Sequence, residues 1–171
     1  LDNIQKKGYV LEFGHLSRDK GTDTLLEVAK KMPNTEFVFI GYGPSADKMK
    51  DIPNVKYLGF KTGEELYRII AEAAISVCPS EWYENCPYSV MESVLLGTPV
   101  VGSKMGGIPE LIEPGKTGEL FEAGNVEELM KAIQKILHTP DTLGKYTDNC
   151  KLVQYETTES YYEKLIRIYQ G

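Results

Sequence analysis

The sequence predicts an α/β domain: a doubly wound parallel sheet of about six strands with helices on both faces. Three observations predict it. Short apolar runs rich in β-branched and aromatic residues recur along the chain, and segments with apolar residues at helical spacing alternate with them. Gly, Pro and Asn punctuate the junctions, as at Gly21, Pro33-Asn34, Gly41-Tyr42-Gly43-Pro44 and Pro53-Asn54. The 171 residues suffice for one domain that buries roughly two-thirds of its unfolded surface.

Tyr9 to Gly14 reads as the first strand, followed by a polar loop from His15 to Gly21. Thr22 or Asp23 caps a helix running to Met32, with Leu25, Leu26, Val28 and Ala29 toward the sheet. Glu36 to Ile40 is the second strand, and a short helix to about Lys50 follows the Gly41–Pro44 turn. Val55 to Leu58 is the third strand. Thr62-Gly63-Glu64-Glu65 opens a helix ending near Ala74, with Leu66, Ile69 and Ile70 as its buried stripe. Ala74 to Cys78 is a buried fourth strand and Tyr88 to Leu96 a helix. Pro99 to Val101 starts the fifth strand, Ile108 to Ile112 is a short helical segment, and Glu119 to Phe121 is the sixth strand. Asn125 caps a helix carrying Val126, Leu129, Ile133, Ile136 and Leu137, and Thr158 to Tyr169 is a final aromatic-rich helix.

A net charge of −6 argues against a nucleic-acid partner. No apolar run approaches the ~20 residues of a membrane span. The three cysteines, Cys78, Cys86 and Cys150, lack metal-site spacing, and their odd number suits a reducing cytoplasm. The chain opens at Leu1 rather than Met, as a fragment of a longer protein would.

The stretch from Pro79 to Glu92 holds the chemistry. It joins the fourth strand to its helix, and in an open parallel sheet ligands bind at the carboxyl ends of strands. Pro87 fits the first helical turn, leaving the N–H groups of Tyr88, Ser89 and Val90 free to face an anion, phosphate above all. Glu84 falls in the loop. Glu92, one turn into the helix, points back toward it, because helical side chains lean toward the N-terminus. Paired hydroxyls, such as those of a sugar, suit these carboxylates.

The Glu84-x7-Glu92 spacing, the Pro79-Ser80 before it and Gly97-Thr98-Pro99-Val100-Val101 after it resemble a family 4 (group 1) retaining glycosyltransferase. Gly106-Gly107-Ile108-Pro109-Glu110 and the Gly115 and Gly118 pair carry the same resemblance, which covers Phe13 to Ile136. It implies a Rossmann-like domain, one half of a GT-B fold. The whole chain, residues 1–171, is then a single C-terminal nucleotide-sugar-binding domain, with the N-terminal acceptor domain outside it. The loop His15-Leu16-Ser17-Arg18-Asp19-Lys20-Gly21 resembles the family's Gly-Arg-Leu-x-x-x-Lys-Gly motif. That resemblance makes Lys20 a diphosphate ligand and puts His15 where the family carries Arg. Arg18 stands either as a compensating cation or as a solvated loop residue.

The resemblance further implies that Gly43 and Phe60 frame the base; read from the residues alone, Gly43 serves a tight turn and Phe60 is better suited to filling the core. Asn85, Cys86 and Pro87 stand where many members carry a Gly-rich stretch. Trp82 and Tyr83 either wall the acceptor side or pack on the missing domain. The final helix is implied to cross to that domain, against the simpler reading that it covers this sheet.

The expected function is therefore the donor half of an enzyme that moves a sugar from a nucleotide diphosphate sugar, UDP- or GDP-linked, to an acceptor glycan or lipid, in polysaccharide or glycoconjugate biosynthesis. Glu84 and Lys20 are the expected catalytic residues, and the isolated domain is expected to be inactive. No metal or other cofactor is expected: the chain has no Asp-x-Asp pair, and cations plus a helix end can neutralise a diphosphate. The expected location is cytoplasmic, with peripheral membrane attachment open for the full-length protein. The rivals are another GT-B nucleotide-sugar enzyme, an epimerase or a phosphorylase, and a non-catalytic nucleotide-binding module.

Overall fold

The structure, a computed structural model, describes residues 4–139, 141–155 and 158–170. Six strands form one sheet: β1 (Lys7–His15), β2 (Phe37–Tyr42), β3 (Val55–Tyr57), β4 (Ala73–Cys78), β5 (Val100–Ser103) and β6 (Gly118–Phe121). All neighbours are parallel, in the order 3-2-1-4-5-6. The chain leaves β1 toward one edge and β4 toward the other, so the sheet reverses direction between these two central strands. Their carboxyl ends part there and open a crevice.

The helices are α1 (Thr22–Lys31), α2 (Gly63–Glu72), α3 (Tyr88–Leu95), α4 (Val126–His138), α5 (Thr142–Lys151) and α6 (Thr158–Gln170). Alternation along β1 and β2 sorts the core. Val10, Phe37 and Phe39 meet Leu25, Val28 and Ala29 of α1 and Leu129 and Ile133 of α4. Leu11, Val38 and Ile40 face the other way, onto Ile70 of α2. Val90 and Val94 of α3 pack on Val100, Ile108, Ile112 and Cys150 in a third cluster.

Asn125 caps α4 as its sequence position predicts, accepting from the Glu128 N–H at 3.1 Å. The start of α1 differs from expectation. Its cap position is Gly21, in the left-handed region at φ 77°. Thr22 turns inward and donates to Glu12 Oε1 at 2.7 Å, while Asp23 turns out to Ser45 and Lys48. Helix α5 goes unread in the sequence because its polar surface dominates. Only Tyr146 and Cys150 are fully buried, and Tyr146 donates its hydroxyl to Glu119. In α6, Tyr162, Ile168 and Tyr169 are exposed rather than folded onto the sheet, and the side chains of Tyr161 and Leu165 lie outside the described residues. Among the described residues no helix is long and apolar enough to cross a membrane.

Candidate active-site cleft

A cleft of about 430 Å³ opens where β1 and β4 part. Glu12, Phe13, Gly14 and His15 line it from β1 and Cys78 from the end of β4. Lys20 comes from the loop after β1, and Ser80, Glu84, Cys86 and Pro87 from the loop after β4. Tyr88, Ser89 and Glu92 close it from the first turns of α3.

Glu84 is held by the protein's own groups. Lys20 Nζ donates to its Oε1 at 2.6 Å, and Ser80 Oγ donates to the same oxygen at 2.8 Å. The backbone is held as tightly: the Gly107 N–H donates to the Glu84 carbonyl at 2.7 Å. Ser103 Oγ anchors the root of the loop by donating to the Ser80 carbonyl at 2.6 Å. The two loops are also joined, since the Glu81 N–H donates to the Asp19 carbonyl at 2.9 Å.

The glycine pair 106–107 thus braces the carboxylate loop. A Cβ on Gly106, which sits at φ 59°, would lie 2.1 Å from the Glu84 carbonyl oxygen, and one on Gly107 would lie 2.2 Å from that of Asn85. Gly106→Ala therefore should lose about 2–4 kcal/mol by denaturant unfolding, combining left-handed strain with a backbone clash. Gly59→Ala is the control. Gly59 has φ 68° with nothing within 4 Å of its Cβ position, so strain alone of about 1 kcal/mol is expected.

At the α3 end, Pro87 occupies the cap position rather than the first helical turn, with φ −72°. Its carbonyl accepts from the Val90 N–H at 3.1 Å. Val90 is thereby withdrawn from the expected set of free donors, and its side chain is buried in the core. Among the described residues nothing accepts from the N–H groups of Tyr88 and Ser89, so two donors face the cleft. Glu92 is half-buried, and that burial raises its pKa.

Several expected site residues fall elsewhere. Arg18 lines a neighbouring hollow of about 390 Å³ with Asp23, Lys48 and Glu81, because the loop turns back at Gly21 and carries residue 18 over the α1 flank. Asn85 is exposed and outside the cleft, its carbonyl packed on Gly107. Gly43 and Phe60 lie along the sheet edge beyond β2. Gly43 packs against the Leu16 backbone, where a Cβ would stand 2.1 Å from its carbonyl oxygen.

Phe60 is not core. It is 66% exposed, its ring 5.9 Å from that of Tyr42, which meets His15 edge-on at 5.4 Å. Tyr42, flanked by two turn glycines, is missed by sequence reasoning yet forms the middle of an aromatic ledge leading out from His15. Trp82 and Tyr83 stand exposed on the loop above.

Glu12 is also missed, though a lone carboxylate inside an apolar strand is a readable signal. It is 4% exposed, its Oε1 accepts from Thr22, and its Oε2 has no partner among the described residues. Burial pushes its pKa up to about 8, against the lowering effect of the Thr22 hydrogen bond.

The glycosyl transferases group 1 model matches residues 2–153. Sulfoquinovosyl transferase SQD2 of Arabidopsis thaliana is 33% identical over 144 residues, which cover 80% of this chain and 28% of that protein. The amylovoran biosynthesis glycosyltransferase AmsK of Erwinia amylovora is 32% identical over 151 residues, 79% of this chain and 37% of that one. The chain thus spans about a third of these relatives' length. Among solved structures, Anabaena HepE in complex with UDP superposes with a TM-score of 0.82 at 21% identity, over 97% of this chain and 50% of that one. TarM superposes with a TM-score of 0.84 at 22% identity, over all of this chain and 36% of that one. The fold is thus the Rossmann-like half of a GT-B architecture, and the chain belongs to the glycosyl transferases group 1 family.

Proposed function

We propose that this chain is the C-terminal donor-binding domain of a retaining, family 4-type glycosyltransferase, and that a separate N-terminal domain supplies the acceptor glycan or lipid. The observation that carries this reading is the convergence of Lys20, Glu84, Glu92 and the two free N–H groups of α3 on one cleft. The α3 end and Lys20 take the diphosphate, with His15 beside them. Glu92 accepts from the ribose hydroxyls and Glu84 from the transferred sugar. As the bond to the sugar breaks, charge gathers on the departing diphosphate, where fixed donors stabilise it without reorganising. That chemistry needs no metal, so transfer should be insensitive to chelators.

UDP is the favoured nucleotide, ahead of GDP: HepE is described with UDP and with UDP-glucose. The aromatic ledge of His15, Tyr42 and Phe60 offers rings for a base to stack on. The exposed face of α6 suits contact with the acceptor domain. The reaction belongs to polysaccharide or glycoconjugate synthesis on the cytoplasmic side, with the full-length protein free to sit peripherally on a membrane. Membership of a transferase family speaks against an epimerase or phosphorylase.

Calorimetry with nucleoside diphosphates and their sugars tests the reading. Glu92→Ala should weaken both ligands equally, by about 10- to 150-fold, because the ribose is common to them. The 171-residue chain alone should bind donor without turning it over. Unchanged binding in Glu92→Ala, with an unchanged melting temperature, would reduce Glu92 to a solvated helix residue. Full activity after loss of both glutamates in the full-length protein would favour a non-catalytic binding module.

A further inference from the structure

Glu12 is a carboxyl group placed where a strand side chain would ordinarily be apolar. Its neighbours on β1, Val10 and Leu11, are fully buried, and Val10 shares its face of the sheet. The groups facing it supply no counter-charge. Thr22 of α1 gives one hydroxyl hydrogen bond, Asp23 of α1 adds a negative field, and Cys78 at the end of β4 is a thiol that burial pushes up to about 12. Glu84 and Glu92 line the same cleft from the loop after β4 and from α3, His15 lines it from the end of β1 itself, and the cation lining it, Lys20, is committed to Glu84. A buried carboxyl without a cation holds its proton. One oxygen then accepts from Thr22, and the other, itself closed to solvent, carries an O–H with no acceptor among the described residues. Such orphans are rare in folded proteins and call for an explanation.

We propose that Glu12 is a further donor-binding residue of the cleft: a small shift of its side chain brings Oε2 to the cleft wall, where it donates a hydrogen bond to an anionic oxygen of the bound diphosphate. This rests on the donor-site reading given above and adds a residue to it. An ionised Glu12 would repel the same oxygen, so the bond exists only in the protonated form. Protonation and diphosphate binding then favour one another, and affinity falls as pH rises past the ionisation of Glu12 in the free protein.

The test is calorimetry of UDP, GDP and inorganic pyrophosphate on the 171-residue chain between about pH 7.5 and 9.5, above the last ionisation of the nucleotides' terminal phosphate. Parent, Glu12→Gln and Glu12→Leu are compared, with melting curves confirming the fold of each. Glutamine keeps an acceptor for Thr22 and a donor toward the cleft at every pH, and comparison with it subtracts all other titrations. Relative to Glu12→Gln, the parent should lose affinity by up to about tenfold per pH unit at the alkaline end. Glu12→Leu should bind about 10- to 150-fold more weakly than Glu12→Gln throughout. Equal affinity of Glu12→Leu and Glu12→Gln, or parallel pH profiles of parent and Glu12→Gln, would overturn the assignment while leaving the donor site standing. Failure of the parent to bind any of the three probes at any pH would overturn the donor reading and this assignment together.

Discussion

Glu12→Gln is expected to melt far above the parent protein near pH ~9 and beside it near pH ~4.5. The cause is linkage. The Glu12 carboxyl has a folded-state pKa of about 8 against 4.5 in the unfolded chain. The folded state therefore binds more protons between those values, and stability drains away as pH rises through that window. Each pH unit removes about 1.4 kcal/mol, so the accumulated loss above the folded pKa approaches about 5 kcal/mol. For a domain of this size that corresponds to a melting difference of about 10–20 °C. Glutamine keeps the Thr22 hydrogen bond and has no proton to lose. Its amide donor lacks a partner as the acid's O–H does, so that term cancels. Scanning calorimetry of both proteins at the two pH values checks this. Matching melts at alkaline pH would mean that Glu12 ionises without hindrance.

Removing the charge of Glu84 should tighten nucleoside diphosphate binding while damaging the use of the complete donor. In the cleft Lys20 is held by Glu84 at 2.6 Å, and the two side chains are only 33% and 17% exposed. A phosphate that recruits Lys20 has to displace a charge-assisted, half-buried hydrogen bond. With Glu84→Gln the cation is free from the outset. Discounting for solvent screening, the gain is about 1–2 kcal/mol, or about 5- to 30-fold in diphosphate affinity. The nucleotide sugar shares that gain but loses the charged acceptor for its sugar. Its affinity relative to the bare diphosphate should therefore fall by about 10- to 150-fold, and transfer by the full-length enzyme should collapse with it. Calorimetry with both ligands reads the ratio directly. An unchanged ratio would place the sugar elsewhere, and an unchanged diphosphate affinity would show that Lys20 reaches phosphate without leaving Glu84.

The fold was legible because each strand is a short apolar run and each of α1, α2 and α4 carries an apolar stripe at helical spacing. Helix α5 escaped because two buried side chains do not make a stripe, and the α1 cap because Gly21 sits there against the Pro79 backbone, 58 positions away in sequence, where a Cβ would lie 1.9 Å from the Pro79 carbonyl oxygen. The site was half legible. Glu84 and Glu92 could be placed because one falls in the loop after a strand and the other one turn into the helix that follows it, and Lys20 through the motif that its loop resembles. Arg18 could not, since its direction depends on a glycine turn three residues later. Phe60 and Tyr42 look the same in sequence whether they fill a core or line a ledge; exposure alone separates them. The bracing role of Gly106 and Gly107 involves the far loop at Glu84 and Asn85, a contact that no local pattern encodes.

That bracing limits how the loop can be redesigned. The 79–87 loop cannot be exchanged as a cassette, because its shape is written partly in residues outside it: Ser103, Gly106 and Gly107 on one side, Gly21 and Lys20 on the other. A graft that moves only the loop would bring a foreign backbone against glycines cut to the native one. A transplant that carries all five positions moves the mould along with the casting, and libraries that vary the loop should vary them with it as one unit.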